Sequence, residues 1–408
     1  MSRPKIPTSS GFDHFALDPQ ILRGVQSAGF QEPRPIQVDT IPPALAGRDV
    51  LGLAETGSGK TAAFALPLLH RFVRERRNGP RALILAPTRE LATQIGAEIR
   101  TLARFTRVRV ETVFGGVSVH RQIHALRQHP EIVVGCPGRV LDLYGQRALV
   151  LASVETLVID EADHMFDMGF LPDLRRILAA LPAQRQNLLF SATMPAQIRT
   201  LAKTLLDDPH VVELERSGPA PTIEHALVPV QEERKRDLLE HILSSDACDS
   251  AIVFTRTKHR ARRLAQQLHA AGHIAVGLQG NMSQSARDRA MDGFRRRRFH
   301  VLVATDIAAR GIDVPGVSHV INFDVPSTPD AYTHRIGRTG RAGLAGRALT
   351  FLTGSDQAWL HATERRLGAR IPQHSVRGFE IETGDTTQRP RPSAGRRRQR
   401  RSPRPRVR

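Results

Sequence analysis

The chain has 408 residues, of which 40% are hydrophobic, and a formal net charge of +19 at pH 7, and this length favours two or three domains. No apolar run approaches the ~18 residues of a membrane span, and residues 1–11 lack the apolar stretch of a signal peptide, so neither a membrane protein nor a secreted one is expected. The cysteines Cys136 and Cys248 form no CxxC pair, which argues against a disulfide framework or a zinc site and favours the reducing cytoplasm.

Short apolar runs recur along the chain, each followed by a polar motif and then by a helical stretch. This pattern is typical of buried parallel strands in βα units. The predicted strands are residues 82–86, 157–159 and 188–190 in the first half, and 251–254, 301–304, 320–323 and 348–351 in the second. The sequence therefore predicts an α/β fold of two doubly wound parallel-sheet domains.

The break between the two domains is expected near residues 217–221, where Gly218, Pro219 and Pro221 interrupt both periods. We predict a first domain at residues 1–213, a linker at 214–222 and a second domain at 223–372. Residues 373–408 are rich in Arg, Pro, Ser and Gly. Because such a composition buries little apolar surface, we predict a disordered basic tail there.

A glycine-rich loop, Ala54-Glu55-Thr56-Gly57-Ser58-Gly59-Lys60-Thr61, lies between an apolar run and a helical stretch. Its glycines let the backbone wrap around phosphate groups, and Lys60 can place a positive charge on the β- and γ-phosphates. The Thr61 hydroxyl can ligate Mg²⁺. The sequence therefore predicts a site for a nucleoside triphosphate.

The acidic quartet Asp160-Glu161-Ala162-Asp163 begins where the predicted strand 157–159 ends. Because ligands of α/β domains bind beyond the carboxyl ends of the strands, the acids are expected beside the glycine-rich loop. We expect Asp160 to face Mg²⁺ and Glu161 to orient or deprotonate the attacking water. An isolated acid pair is more often a helix start, but the loop in the same predicted domain favours the catalytic interpretation.

A third motif, His334-Arg335-Ile336-Gly337-Arg338-Thr339-Gly340-Arg341, lies in the second predicted domain. Arginines so far along the chain can reach a γ-phosphate only from that domain. We therefore expect the catalytic site to be completed when the two domains approach each other.

The end of the chain is strongly basic. Residues 388–408 contain ten arginines and no acid, which leaves about +9 for the rest of the chain. The composition implies a polyanion as the partner of this segment, because neutralising phosphates releases counterions and needs no precise fold. A solvated, solubilising tail is the alternative.

Together these motifs resemble the DEAD-box ATP-dependent RNA helicases, whose name the quartet spells. The resemblance covers residues 12–354, with a dozen motifs in the family's order. It implies two tandem RecA-like domains that bind ATP and Mg²⁺, hydrolyse ATP when RNA is bound, and unwind short RNA duplexes locally or remodel RNA–protein complexes. The short N-terminus, the short basic C-terminus and the arginine-heavy composition suggest a bacterial RhlE-type member.

The resemblance also assigns roles to single residues. Gln37, in the Q motif, would read the adenine edge, Phe12 would stack on the adenine ring, and Asp313 would contact the ribose. The catalytic set would be Lys60, Asp160, Glu161 and the arginine fingers Arg338 and Arg341, with Thr56, Gly57, Ser58, Gly59 and Thr61 around the nucleotide. The RNA contacts would be Pro87, Thr88, Arg89, Gly116, Gly138, Arg139, Arg256, Gly280, Arg287 and Thr305. The residues that couple the two domains would be Asp163, Ser191, Thr193 and His334.

Four residues depart from the family's usual pattern. Arg34 stands where a hydroxyl residue bonds to the phosphate loop, and Cys136 replaces a Thr that touches an RNA phosphate. Gln279 stands where His is common, and His164 where Arg often follows the quartet. None belongs to the catalytic set, so an active enzyme is expected.

Two alternatives to the helicase interpretation stay open. One is an RNA-binding chaperone with a vestigial ATP site, against which the intact Lys60, Asp160, Glu161, Arg338 and Arg341 argue. The other is a DNA helicase, against which the Q motif and the spelling of the quartet argue. We expect a monomer that binds RNA without sequence preference; complexes with ribosomes or with RNA-degradation enzymes are open.

Overall fold

Two parallel β-sheets organise the chain, one in each half, with helices on both faces of each sheet. The computed structural model describes residues 11–54, 57–74, 79–214, 223–245, 247–280, 282–309, 314, 316–340, 344–377 and 379. Within these residues the first sheet has seven strands and the second has six. The predicted α/β class with two doubly wound domains is thereby confirmed.

The first domain opens with a 3-10 turn at Asp13–Phe15 and two helices before its first strand. Its strands are β1 Val50–Leu53, β2 Ala82–Leu85, β3 Val110–Val113, β4 Ile132–Gly135, β5 Thr156–Ile159, β6 Gln186–Ser191 and β7 His210–Glu213. Its helices are α1 Pro19–Ser27, α2 Pro35–Leu45, α3 Lys60–Arg74, α4 Arg89–Leu102, α5 Val119–Leu126, α6 Pro137–Gly145, α7 Ala162–Asp167, α8 Leu171–Ala180 and α9 Ala196–Leu205.

The seven strands lie in the order β3-β4-β2-β5-β6-β1-β7 and all pair in parallel. Successive residues of β2 face opposite cores, Leu83 and Leu85 one core and Ile84 the other, as the period of a strand requires. Because the strands are parallel, their carboxyl ends meet at one edge of the sheet. The loops after β1, β5 and β6 therefore lie side by side there.

The second domain repeats this plan with six parallel strands in the order β10-β11-β9-β12-β13-β8. The strands are β8 Ile223–Pro229, β9 Ala251–Phe254, β10 Ala275–Leu278, β11 Val301–Ala304, β12 His319–Asn322 and β13 Gly346–Leu352. The helices are α10 Lys235–Leu243, α11 Lys258–Ala270, α12 Gln284–Arg295, α13 Asp306–Ala309, α14 Pro329–Ile336 and α15 Gln357–Leu367, with 3-10 turns at Glu232–Arg234 and Gly354–Asp356.

Hydroxyl side chains fix where several helices begin after the strand ends. The Thr88 hydroxyl accepts from Leu91 N at 3.2 Å, and the Thr257 hydroxyl accepts from Arg260 N at the same distance. A side-chain oxygen at this position satisfies an N–H group that the helix itself leaves unpaired, which contributes about 1 kcal/mol. These two caps set the length of the loops after β2 and β9, where RNA contacts are predicted.

The chain stays on the second domain for several residues beyond Pro372, where that domain is predicted to end. Leu227 N donates to Pro372 O and His374 N to Leu227 O, each at 2.8 Å. Val376 and Phe379 pack against one core of the sheet. Residues 215–222, in the predicted linker, and 380–408, in the predicted tail, lie outside the described residues. Among the described helices, none is both long and apolar enough to cross a membrane.

Candidate active site

The phosphate loop joins β1 to α3. Gly57 and Gly59 have φ values of 89° and 98°, in the left-handed region that favours glycine. A β-carbon added at Gly59 would lie 2.6 Å from Gln37 Nε2, so the backbone approaches its neighbour too closely for any side chain. Since α3 begins at Lys60, the unpaired N–H groups of its first turn are available to an anion. Thr56, which is predicted to bind nucleotide, lies outside the described residues.

Lys60 is held between the end of β1 and the acidic quartet. Its Nζ donates to Ala54 O at 3.0 Å and lies 3.5 Å from Asp160 Oδ1. Both side chains are buried. Burial opposes the ammonium form, but Asp160, Glu161 and Asp163 outweigh it, and the pKa of Lys60 is raised. Lys60 is therefore a fixed positive charge at the loop.

The Q motif holds the phosphate loop through two side chains. Gln37 Nε2 donates to Gly59 O at 3.1 Å, and Gln37 Oε1 accepts from Arg34 N at 2.8 Å. The Arg34 guanidinium donates to Gly57 O. Arg34 thus bonds to the loop itself, although the family's usual residue there carries a hydroxyl. Each end of the fully buried Gln37 amide can make a second hydrogen bond, so the contact of Gln37 with adenine stays a prediction.

The ring of Phe12 lies in the core. It is fully buried, with edge-on contacts to Phe15 at 5.9 Å and Phe30 at 6.0 Å between ring centroids. A stacking platform needs an exposed ring face. The prediction that Phe12 stacks on adenine is therefore not supported by this structure, because packing against neighbouring aromatic rings has covered it.

The acidic quartet follows β5 directly. Asp160 Oδ1 accepts from Glu161 N at 2.9 Å, and Glu161 has a φ of 52°, in the left-handed region. Burial raises the pKa of Asp160. Asp163 Oδ2 accepts from both N and Oγ1 of Thr193, each at 2.9 Å, while Ser191 Oγ donates to Thr193 O at 2.7 Å. The structure therefore brings together three of the predicted coupling residues.

A histidine pair connects the quartet to the second domain. His164 Nδ1 lies 2.8 Å from Glu161 Oε2, and His164 Nε2 lies 3.3 Å from His334 Nδ1. The two rings meet edge to face, with centroids 4.9 Å apart. Burial, and then the neighbouring His164, lowers the pKa of His334 to about 4. His334, the fourth predicted coupling residue, therefore contacts the quartet through His164. From sequence, His164 was only a departure from the family's usual pattern.

A cavity of about 520 Å³ lies between the two domains beside this pair. The first domain contributes Asp163, His164 and Thr193, and the second contributes Arg256, Thr305, Asp306, His334, Arg335 and Arg338, among others. Arg338 is buried, and its Nε donates to His334 O at 3.2 Å. Arg338 therefore lies at the domain interface, as predicted for an arginine finger. Arg341 and Asp313 lie outside the described residues.

Arg335 is a buried residue of this motif to which the sequence analysis gave no role. Its guanidinium bonds to both carboxylate oxygens of Asp306, donates to Asp324 O at 2.7 Å and to Asn322 Oδ1 at 3.1 Å. It also lies over the Phe254 ring, 4.9 Å from the centroid. Arg335 ties together the ends of β9, β11 and β12. Only the position of Arg335 within the arginine-rich motif could have indicated this role from sequence.

The RNA contacts predicted on the first domain cluster after β2, β3 and β4. Pro87 and Thr88 are buried, and Arg89 lies so close to Gly116 that a β-carbon there would meet Arg89 Nη1 at 2.4 Å. Within the described part of the chain, Arg89 Nη1 is buried and makes no hydrogen bond. A buried donor of this kind needs an explanation, and a phosphate oxygen would supply its partner.

The same cluster continues at the start of α6. Arg139 is held by Gln122 Oε1 at 3.1 Å and Asp142 Oδ2 at 3.2 Å, beside Gly138, which has open space around it. Cys136 caps this helix without a side-chain hydrogen bond, and burial raises the pKa of its thiol to about 12. Cys136 is therefore a neutral packing residue.

The RNA contacts predicted on the second domain divide into two groups. Arg256 and Gly280 are exposed, and Thr305 lies on the interdomain cavity. Arg287 instead forms a salt bridge with Glu90 of the first domain, with Nη2 2.8 Å and Nε 3.0 Å from Glu90 Oε1. Arg287 therefore makes a contact across the domain interface through Nε and Nη2, and its contact with RNA stays a prediction.

Comparisons with known proteins fit this geometry. A family model described as DEAD/DEAH box helicase matches residues 34–201, and one described as helicase conserved C-terminal domain matches residues 234–343. The ATP-dependent RNA helicase CshA of Listeria monocytogenes is 45% identical over 361 residues, which are 88% of this chain and 69% of that protein.

Two solved structures show how the domains are arranged. Saccharomyces cerevisiae Dbp5 bound to RNA and ADP BeF3 is 33% identical and superimposes with a TM-score of 0.82, over 90% of this chain and 96% of that one. A DEAD box protein from Methanococcus jannaschii is 37% identical but has a TM-score of 0.52, over 89% and 98% of the two chains. The domains of this protein are thus placed as in the RNA-bound relative. The chain belongs to the DEAD/DEAH box helicase family.

Proposed function

We propose that this protein is an ATP-dependent RNA helicase, which hydrolyses ATP when RNA is bound and thereby unwinds short RNA duplexes locally or remodels RNA–protein complexes. The observation that carries the proposal is the continuous path of contacts from Glu161, in the nucleotide site, through His164 to His334 of the second domain. A site built from both domains is complete only when they meet. RNA that bridges the domains stimulates hydrolysis, and ATP in turn tightens RNA binding.

ATP is bound by the loop after β1. Gly57, Ser58 and Gly59 surround its phosphates with backbone N–H groups, and the fixed charge of Lys60 neutralises the β- and γ-phosphates. Thr56 belongs to the same loop by sequence, and Asp313 contacts the ribose as the resemblance implies. Attack on the γ-phosphate needs an oriented water, and Glu161 holds that water from the end of β5.

Mg²⁺ fits the donors at this site. The available oxygens are the Thr61 hydroxyl and the Asp160 carboxylate, and among the described residues no group of three or more His, Cys, Asp or Glu forms a dedicated metal cage. Mg²⁺ is usually bound through one or two carboxylates together with substrate phosphates. When bound, the ion neutralises charge on the phosphoryl group that is transferred.

The second domain completes the chemistry. Arg338, and Arg341 by its place in the motif, supply guanidinium charge to the transferring phosphoryl group. Asp163, Ser191 and Thr193 form the hydrogen-bonded unit beside this interface. That unit carries the change at the nucleotide site to the RNA-binding loops.

RNA runs along the loops at the carboxyl ends of both sheets. Arg89, whose buried Nη1 has no hydrogen-bond partner among the described residues, binds a phosphate next to Gly116. The other contacts proposed are Pro87, Thr88, Gly138, Arg139, Arg256, Gly280 and Thr305. Contacts to phosphates and 2′-hydroxyls favour RNA over DNA without reading sequence.

Domain boundaries and a cellular location complete the proposal. The two domains are residues 1–213 and 223–372, with residues 373–377 and Phe379 attached to the second, and the protein belongs to the cytoplasm of a bacterium. The free cysteines, Cys136 and Cys248, fit a reducing compartment. The RhlE-type subdivision stays a prediction.

The decisive experiment is ATP hydrolysis with single-stranded RNA, with single-stranded DNA and with neither, using Lys60→Ala as the blank. We expect strong stimulation by RNA alone. Equal rates with and without RNA would contradict the proposal, and stimulation by DNA would favour a DNA helicase. Unwinding that is unchanged in Glu161→Gln would favour an RNA chaperone whose ATP site is vestigial.

A further inference from the structure

His164 lies between the nucleotide site and the second domain, where the family often has Arg. It is buried in the first turn of α7, next to Asp163, whose Oδ1 accepts from His164 N at 3.1 Å. Both ring nitrogens are engaged, one with a carboxylate of its own domain and one with an imidazole of the other. A buried side chain with two such partners is held in one orientation.

The contact with Glu161 fixes the proton on the first ring nitrogen. An ionised carboxylate only accepts hydrogen bonds, so Nδ1 of His164 carries the proton and donates to Glu161 Oε2. Glu161 is itself almost fully buried, so little water competes for that oxygen. His164 therefore holds the Glu161 carboxylate in one orientation through Oε2.

The contact with His334 depends on the second ring nitrogen. When His164 is neutral and Nδ1 holds its proton, Nε2 is an acceptor, and His334 Nδ1–H donates to it. An arginine at position 164 could donate to Glu161 but could accept nothing from His334. The histidine is thus suited to join a carboxylate on one side to an N–H group on the other.

We propose that His164 is a positioning residue for ATP hydrolysis, which orients the Glu161 carboxylate through Nδ1 only while His334 holds its Nε2 from the second domain. The inference rests on the proposed function and deepens it. Domain closure then acts on the water-orienting carboxylate as well as on the arginine fingers. His334 acts through His164 rather than on the substrate.

Two substitutions test the contacts of the two ring nitrogens separately. His164→Asn keeps an N–H group near the position of Nδ1 but cannot reach His334, and His164→Gln reaches towards His334 but removes the donor at Nδ1. Both should lower the kcat of RNA-stimulated ATP hydrolysis about 10-fold or more, because a misplaced Glu161 no longer orients the attacking water. The KM for ATP should change less than about twofold, because Lys60 and the loop are untouched.

A double-mutant cycle tests whether the two histidines act as one unit. His334→Ala should lower kcat in the wild type but have no further effect in His164→Asn, because that variant has already lost the link. The control is His361→Gln, which changes an exposed histidine on α15 and should leave kcat unchanged. A wild-type kcat in both His164 variants, or independent effects that multiply, would overturn the proposal.

A second measurement does not depend on activity. Nitrogen-15 NMR of the histidine side chains, in the full chain with a single-stranded RNA oligonucleotide and ADP BeF3, reports which nitrogen of His164 is protonated; the signal is assigned by its loss in His164→Asn. A proton on Nδ1 supports the proposal, and a proton on Nε2 alone overturns it. If the wild type shows no RNA-stimulated hydrolysis, the proposed function fails, and the tautomer still decides whether His164 holds Glu161.

Discussion

Arg287 of the second domain and Glu90 of the first form a two-point contact that joins the domains. Both Nε and Nη2 of Arg287 bond to Glu90 Oε1, and the side chains are only 11% and 14% exposed. Arg287 Nη2 also donates to Ala308 O at 3.3 Å. Since Glu90 lies in the first turn of α4, directly after the predicted RNA-contacting loop, the pair places that loop relative to the second domain.

Removing either partner should impair closure of the domains. Arg287→Ala leaves Glu90 without its cation, and breaking a largely buried pair typically costs ~3–5 kcal/mol in the state that contains it. We expect RNA-stimulated ATP hydrolysis to fall at least about 10-fold, with little change in the KM for ATP. The measurement is a steady-state cycle of Arg287→Ala, Glu90→Ala and the double variant. If the fold losses of the two single variants multiplied in the double variant, the salt bridge would not be the cause of either loss.

Gly59→Ala should abolish tight ATP binding. The φ of 98° is unfavourable for alanine, and the new β-carbon would collide with Gln37 Nε2 at 2.6 Å. We expect the Kd for ATP to rise more than about 10-fold, measured by equilibrium binding. The matched control is Gly145→Ala, at the end of α6, where nothing lies within 4 Å. An unchanged Kd in Gly59→Ala would contradict the assignment of this loop.

Arg89→Ala should weaken RNA binding without lowering the thermal stability of the protein. Within the described residues the Nη1 group is buried without a hydrogen bond, so its removal relieves a desolvated donor and should not lower the Tm. Loss of a phosphate contact should weaken binding of single-stranded RNA about 10-fold and reduce the slope of log K against log salt by about 0.7. An unchanged salt slope would show that Arg89 does not bind phosphate.

Acid should oppose domain closure through His334. Its pKa is about 4 in this arrangement against an ordinary value of 6.5; burial is the main cause, His164 and Arg338 add to it, and Asp163 and Glu161 oppose it. The closed state binds fewer protons than an open state with an exposed imidazole. The contribution of neutral His334 to the stability of the closed state is therefore complete above pH 6.5 and is lost as the pH falls towards 4.

Fluorescence energy transfer between labels on the two domains, with RNA and ADP BeF3 present, measures this dependence. We expect the closed fraction to fall between pH 7.5 and pH 5. His334→Gln should be closed less often at pH 7.5 but should lose most of the pH dependence. The same slope in both proteins would assign the effect to another group.

Removing residues 388–408 should weaken RNA binding and flatten its dependence on salt. The segment contributes ten arginines, and each phosphate neutralised adds about 0.7 to the salt slope for single strands. ATP binding should be unchanged, because the loop after β1 is untouched. The truncated chain would retain the full salt slope if the segment were only solubilising.

Several strands that are buried on both faces could be predicted from sequence, whereas edge strands could be predicted less well. Strands β2, β9 and β11 are continuous apolar runs, and each was predicted to within one residue. The edge strands β3 and β10 are buried only at their ends. Because their middle residues face partly to solvent, they lack the apolar run on which the prediction depends.

The roles of residues at the site could be predicted where a motif fixes the backbone, and not where a side chain can bond to several alternative groups. Lys60 and Asp160 lie together because β1 and β5 end at the same edge. Gln37 and Arg287 are in their motifs, but their amide and guanidinium groups bond to a loop carbonyl and to a carboxylate. Sequence spacing does not show which group such a side chain bonds to, because this depends on contacts between distant segments.

Glu161 has a backbone conformation that its side chain does not favour. A left-handed φ of 52° costs a residue with a β-carbon roughly 1 kcal/mol relative to glycine. Glycine would remove that strain, but it would also leave the buried Nδ1 of His164 without its carboxylate partner, which costs about 1–3 kcal/mol. A screen that selects only for thermal stability would therefore gain little from glycine at position 161, and the variants it enriches should keep the carboxylate.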